Sequence, residues 1–425
     1  MSEELSLGDA NVPKNVQNVM AQEALEITRN IESSVKLSEA EKKQIEDNKT
    51  KPKEKVIKAD SNSSLTEAEI EECMSLKGDL DQFIMKNTDL KKTGKDIEKI
   101  PTGIDLLDAI MGGGIGAGTF TMIAGNPGTF KSALVAQIIA SAQRIYKGKC
   151  ACFYKDTESA MTQERLYQMG VRYPPIEPDD DTTVEDIFKT LEAIFAYKMK
   201  TNSDYPALVA WDSIANTSTE KERTTQDINQ TIGLRARLLS SLMPRYVPKM
   251  KEYRTSLIAV NQLRENLDIG QFSPAADLRW MGDKLIPGGQ SLKFNAFHLM
   301  ILKIRGDIKF ETYGINGVRL EAKCVKNKFF KPNIPVELLV DFNHGISNFW
   351  SNYHFLVTHK KISSSAWNKW ADGETTNSWR TKDALDMYKN DTDGFKEKFD
   401  AAVKETIQSV IIDPNKPMGL DESIL

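Results

Sequence analysis

The chain has 425 residues, 40% of them hydrophobic and 27% charged, with a formal net charge of −4. That length admits one large core with appendages or two domains, and no apolar run reaches the roughly 18 residues a membrane span needs. The slightly acidic balance excludes a compact basic module that coats duplex DNA by bulk charge, but it leaves room for a local basic groove.

Residues 1–64 are polar and mixed in charge, ending in KTKPKEKVIKADSNSS. Such a stretch cannot bury enough apolar surface to fold, so a flexible tail is expected, with a short helix where Ser38 and Glu41 make a capping box. The N-terminus lacks the basic-then-apolar pattern of a signal peptide, and a cytoplasmic location is expected. A second capping box, Thr66 with Glu69, opens a helical segment through Ile70, Cys73, Met74, Leu80, Phe83 and Ile84, within 65–98.

From residue 99 the texture changes. Short apolar runs, TFTMIA (119–124), CACFY (150–154), ALVAWD (207–212), SLIAVN (256–261) and FHLMILKI (297–304), alternate with helical patterns. One such pattern places Val184, Ile187, Phe188, Leu191, Ile194 and Phe195 on one face. Alternating strands and helices predict an α/β core over 99–348, a mainly parallel, doubly wound sheet. The runs VRLEAKCV and VELLVDF, separated only by a turn, predict an antiparallel extension. Residues 349–425 combine polar loops around Trp367, Trp370 and Trp379 with a helix carrying Phe395, Phe399, Val403, Ile407 and Val410, a small C-terminal helical domain. Four cysteines, Cys73, Cys150, Cys152 and Cys324, show no CxxC pairing, and His354 and His359 lack acidic or thiol company, so no zinc site is expected.

The chemistry concentrates after the first core strand. Gly125-Asn126-Pro127-Gly128-Thr129-Phe130-Lys131-Ser132 lies between a strand and a helical pattern, the context of a P-loop. Backbone N–H groups at a helix start surround phosphate oxygens, Lys131 neutralises the β- and γ-phosphates, and Ser132 ligates Mg2+. Phe130 departs from the pattern, standing where a glycine is usual. Asp212 ends a buried strand, the place from which a carboxylate holds Mg2+. Asp156-Thr157-Glu158 follows CACFYK at another strand end, where Glu158 is placed to orient or deprotonate an attacking water. ATP and Mg2+ are therefore the expected ligands, and hydrolysis the expected reaction.

From about Ile100 to Asn348 the chain resembles the RecA-type recombinases. Pro101-Thr-Gly103 with Leu106-Leu107 and the glycine-rich 112–118 are similar to the segment leading into their P-loop; Glu164-Arg165-Leu166 follows DTE as it does there. The resemblance implies that Arg165 packs against adenine. Asn261-Gln262-Leu263-Arg264 is similar to the family's NQ-x-R, whose glutamine senses the γ-phosphate; Val325-Lys326-Asn327-Lys328 is similar to VKNK, whose lysines reach a neighbour's ATP. Pro287-Gly288-Gly289 through Phe294 resembles the segment closing the family's DNA loop. Phe130 and Ser378-Trp379-Arg380-x-Lys382-Asp383 resemble the T-even-like phage branch, which implies a phage-infected bacterial cell.

Two polar stretches follow strands, 216–232 and 264–289. Both are expected to face DNA: Arg237 just beyond the first, and Arg264, Phe272, Arg279, Trp280, Lys284, Gly288 and Gly289 in the second. Aromatic and cationic residues on a long loop suit single-stranded DNA. The expected function is ATP-dependent strand exchange: a helical filament on single-stranded DNA pairs it with homologous double-stranded DNA, aided by mediator and single-strand-binding proteins. A ring helicase of the same fold, or a non-hydrolysing paralogue that assists filament assembly, is the alternative.

Overall fold

A computed structural model describes residues 43, 97–158, 161–172, 182–225, 233–265, 284–308, 310–363, 365, 367–372 and 378–412. Both sequence-predicted capping boxes, the 1–64 tail apart from residue 43 and nearly all of 65–98 lie outside the described residues. The elements below all belong to one unit, Asp96–Leu425.

In chain order these are β1 (Lys99–Ile100), α1 (Asp105–Met111), β2 (Ile115–Gly116), β3 (Phe120–Gly125), α2 (Lys131–Ile145), β4 (Ala151–Asp156), α3 (Gln163–Gln168), α4 (Val184–Thr201), β5 (Ala207–Asp212) and α5 (Glu220–Thr224). Then come α6 (Leu234–Glu252), β6 (Thr255–Gln262), β7 (Arg264–Glu265), β8 (Lys284–Leu285), α7 (Gln290–Asn295), β9 (His298–Asp307) and α8 (Phe310–Tyr313). The last are β10 (Gly317–Asn327), β11 (Pro335–Asp341), β12 (Gly345–Ser347), α9 (Asn348–Thr358), β13 (Ile362–Ser363), β14 (Lys369–Trp370), α10 (Ala384–Asn390) and α11 (Phe395–Ile407).

One eight-stranded sheet organises this unit, in the order β12-β11-β10-β9-β3-β6-β5-β4. From β9 to β4 every neighbouring pair is parallel, and from β9 to β12 every pair is antiparallel. The expected α/β architecture, a mainly parallel sheet with an antiparallel extension, is thus observed. Period-two alternation divides its side chains between two faces. Ile123, Tyr154, Leu208, Ala210, Ile258 and Val260 join α2 in one core, while Met122, Ala124, Val209, Trp211, Leu257 and Ala259 join α4 and α6 in the other.

Local chemistry explains the helices. Thr183 and Asp186 cap α4 reciprocally, and all six of its sequence-predicted apolar positions are buried. Toward the C-terminus, Trp350, Tyr353, Trp370, Trp379, Phe395 and Phe399 build a third, aromatic cluster against Leu339 of β11. Here one expectation fails: Val410 is exposed and Ile411 buried. After α11 the chain widens into a π-helical turn, Gln408–Ile412, which shifts the phase of the apolar stripe.

Candidate nucleotide site

The parallel register brings the C-terminal ends of β3, β4, β5 and β6 to one rim, where a doubly wound sheet binds its ligands. Gly125 ends β3 in a tight space. A Cβ there would lie 2.4 Å from Thr129 Oγ1 and 2.8 Å from the Leu302 carbonyl. The loop then turns through Gly128 at φ 76° and Phe130 at φ 57° before α2 starts at Lys131. Phe130 is a non-glycine residue in left-handed backbone, at a cost of about 1 kcal/mol or more. Its ring stacks on Phe342, with centroids 6.0 Å apart and planes 21° from parallel.

Lys131 Nζ donates to the Asn126 carbonyl at 2.8 Å, within the loop. Burial pushes its pKa down, against the pull of Asp212 and Glu158. The residues 127–133, Glu158, Met161, Arg165, Asp212 and Gln262 share a cavity of about 400 Å3. Sequence reasoning assigns every residue from Gly125 to Ser132, with Arg165, Glu158, Asp212 and Gln262, to one site. The structure brings Pro127–Ser132, Glu158, Arg165, Asp212 and Gln262 together around this cavity, with Gly125 and Asn126 leading into it along the chain.

Two carboxylates are held differently. Glu158 accepts at Oε1 from Ser213 Oγ (2.6 Å) and from Gln262 Nε2 (3.3 Å), so the ends of β4 and β6 meet across β5. Asp212 is 4% exposed; burial pushes its pKa up, while hydrogen bonds from Ser132 and Tyr154 restrain the rise. Tyr154, like Ser213, supports a candidate site carboxylate and is not singled out by the sequence. Its hydroxyl, on a fully buried ring, donates to Asp212 Oδ2 at 2.6 Å. Ser132 hydroxyl and Asp212 carboxylate are hard oxygen donors, the chemistry Mg2+ prefers, so the residues present fit that ion.

Arg165 donates to the carbonyls of Phe342 (3.0 Å) and Asn343 (3.1 Å), which fastens α3 to the β11–β12 turn. Lys326 and Lys328 lie at the far end of β10, away from this cavity. Lys326 Nζ donates to the carbonyls of Lys293 and Phe294, both at 2.7 Å, at the C-terminal end of α7. Lys328 Nζ lies 5.5 Å from the centre of the Phe297 ring.

Of the residues expected to meet DNA, Phe272, Arg279 and Trp280 lie outside the described residues. Arg264 and Lys284 stand in β7 and β8, a two-residue antiparallel ladder at the base of that loop. Gly288 and Gly289 have φ of 95° and 87°, backbone that favours glycine at both positions. Asn261 Nδ2 donates to the Pro287 carbonyl at 2.8 Å, tying the end of β6 to this segment. Arg237 is exposed in the first turn of α6.

The family profile of the RecA N-terminal domain matches residues 77–347, well over half the chain. The chain belongs to the RecA family. Protein RecA of Colwellia psychrerythraea is 29% identical over 286 residues, covering 67% of this chain and 77% of that protein. Protein RecA of Thermus thermophilus is 29% identical over 254 residues, 59% of this chain and 69% of its own. The RecA profile thus spans β1 to β12 and takes in the entire cavity. Among the described residues no helix is long and apolar enough to cross a membrane.

Proposed function

We propose that this protein is an ATP-dependent DNA strand-exchange recombinase that assembles into a helical filament on single-stranded DNA, pairs it with homologous duplex and hydrolyses ATP under DNA stimulation. One observation carries the reading: the Glu158 carboxylate is shared by Ser213 and Gln262 in a cavity also lined by the P-loop and Lys131. Lys131 and the N-terminus of α2 neutralise the triphosphate. Glu158 accepts the proton of the attacking water as the bond from the γ-phosphorus to its bridging oxygen breaks. Gln262, bonded to that same carboxylate, joins the chemistry to β6, and through Asn261 and Pro287 to the segment 264–289 that we assign to DNA. Mg2+ bound at Ser132 and Asp212 would supply charge neutralisation on the β- and γ-oxygens.

Assembly has structural support too. β4 is an edge strand of the eight-stranded sheet, and beside it lies a cavity of about 740 Å3 lined by Phe153, Ile194, Tyr197, Tyr205 and Pro206. Tyr197 and Tyr205 are more than half exposed. A groove of this kind takes the apolar face of an amphipathic helix. We assign the residues within 65–98 of a second copy as the occupant, 99–348 as the ATPase core and 349–425 as a helical C-terminal domain. Lys326 and Lys328 then act on the neighbour's ATP, with Arg165 on the adenine. Phe130 and Ser378–Asp383 support membership of the T-even-like phage branch.

The decisive test is electron microscopy of the purified protein with single-stranded DNA and a slowly hydrolysed ATP analogue, alongside ATPase rates with and without DNA. Open helical filaments and DNA-stimulated turnover are expected. Closed hexamers would select a ring helicase, and assembly without turnover a non-hydrolysing paralogue.

A further inference from the structure

Phe130 stands where the P-loop pattern has a glycine. It occupies left-handed backbone, φ 57° and ψ 26°, a region glycine enters freely and a side chain enters under strain. The chain keeps a large aromatic residue there, and the ring rests on Phe342 of the β11–β12 turn. That turn is secured in its own right, because the Phe342 and Asn343 carbonyls accept from Arg165. Phe130 and Arg165, which both line the cavity, are therefore connected through Phe342.

The sheet order shows which part of a ligand these residues meet. Gln262 and Asp212 end β6 and β5, and Glu158 follows β4, all strands on one side of β3. Phe342 follows β11, on the other side of β3. Asp341 pairs with Gly317 and Val318 with Asp307, at the end of a strand parallel to β3, so the turn after β11 stands on the same rim as the P-loop. A triphosphate whose terminal phosphate meets Glu158 and whose chain crosses Lys131 therefore directs its organic end toward Phe130 and Phe342. A flat, conjugated base is the chemistry that an aromatic ring and a guanidinium plane recognise.

We propose that Phe130 is a specificity-determining residue: its ring, backed by Phe342, forms the wall that holds the nucleoside end of the nucleotide, and the strained loop is retained for that contact. This inference rests on the reading of the cavity as an ATP site. It separates recognition of the nucleoside from recognition of the phosphates within one loop.

The test is a pair of titrations with Mg2+ present, one with ATP and one with inorganic tripolyphosphate, on wild type, Phe130→Gly and Phe130→Leu. Phe130→Gly is expected to weaken ATP binding about 3- to 10-fold, the worth of one aromatic contact, and to leave tripolyphosphate affinity within about twofold. Relief of strain should leave its urea midpoint no lower than wild type. Phe130→Leu, which keeps bulk and strain without a ring, should show the same selective loss of ATP and supplies the answer if the glycine variant folds poorly. Unchanged ATP affinity in the folded variants, or an equal loss of both ligands, overturns the proposal, since the ring would then only pack or only shape the phosphate loop. A wild-type protein that binds neither ligand would instead remove the ATP reading of the cavity.

Discussion

Replacing Tyr154 with phenylalanine deletes one hydroxyl from a buried side chain and should have a measurable effect on stability. The hydroxyl donates at 2.6 Å to Asp212, a carboxyl 4% exposed, on a ring with no access to water. A hydrogen bond to a buried charged acceptor contributes about 1.5–3 kcal/mol, and its loss leaves Asp212 with the Ser132 hydroxyl and a larger desolvation cost. The sign with pH follows from direction. Burial raises the folded pKa of Asp212 above its ordinary value, so its protonated form contributes stability at acid pH that is lost as pH rises through the folded pKa. Without Tyr154 the folded pKa rises further, so the gap between variant and wild type should widen with pH. Urea unfolding followed by circular dichroism, in metal-free buffer at pH 5 and pH 8, measures it. About 2 kcal/mol of destabilisation is expected at pH 8 and less at pH 5. A variant within about 0.5 kcal/mol of wild type at pH 8 would refute the assignment of Tyr154 as the donor that makes a buried Asp212 tolerable.

Glu158→Gln should retain nucleotide binding while turnover falls about 10²–10⁴-fold, the usual worth of a positioned base; single-turnover hydrolysis and fluorescent-nucleotide binding measure the two separately. Lys326→Ala combined with Lys328→Ala should abolish ATPase although neither lysine lies near its own P-loop, and mixing with Lys131→Ala subunits should restore activity at complementary interfaces. No rescue in demonstrably mixed filaments would count against action on a neighbour. Asp108, whose carboxyl burial raises to about 6, accepts from both the amide and the hydroxyl of Thr102. Its protonated form contributes stability fully below about pH 4, lost as pH rises through about 6, at up to about 1.4 kcal/mol per pH unit. Asp108→Asn keeps an acceptor for Thr102 and should flatten that slope in urea unfolding series. Arg279→Ala with Lys284→Ala should weaken single-stranded DNA binding and reduce its salt dependence, whereas Trp280→Ala should weaken it at an unchanged slope; oligonucleotide titrations across a salt series distinguish the two.

The strands were legible because their runs are short, apolar and bounded by breakers; ALVAWD matches β5 residue for residue, and FHLMILKI differs from β9 only at its ends. The phosphate loop was legible because its residues are contiguous. What escaped depends on which strands become neighbours. Tyr154 and Asp212 lie 58 positions apart and meet only because β4 pairs with β5 in parallel. A signal existed: in CACFYKD, alternation puts Cys152, Tyr154 and Asp156 on one face, so a phenol was bound to sit beside the strand-end acids. Phe130 was visible as a departure, but its distant partner Phe342 was not. Val410 was misplaced because periodicity assumes a uniform helix, and nothing in QSVII announces the wider turn.

On the proposed reading, the resting place of Lys326 makes subunit assembly an exchange of acceptors. Its ammonium already satisfies two carbonyls at the close of α7, the short helix that follows Gly288–Gly289. A neighbour gains this lysine only by offering oxygens more negative than a pair of amide carbonyls, and a triphosphate does so better than the diphosphate left after cleavage. Each turnover should therefore return the ammonium to its own helix. The joint between subunits then works as a timed latch, set by the nucleotide's charge, and its release re-forms the C-terminal cap of α7 beside the loop assigned to DNA.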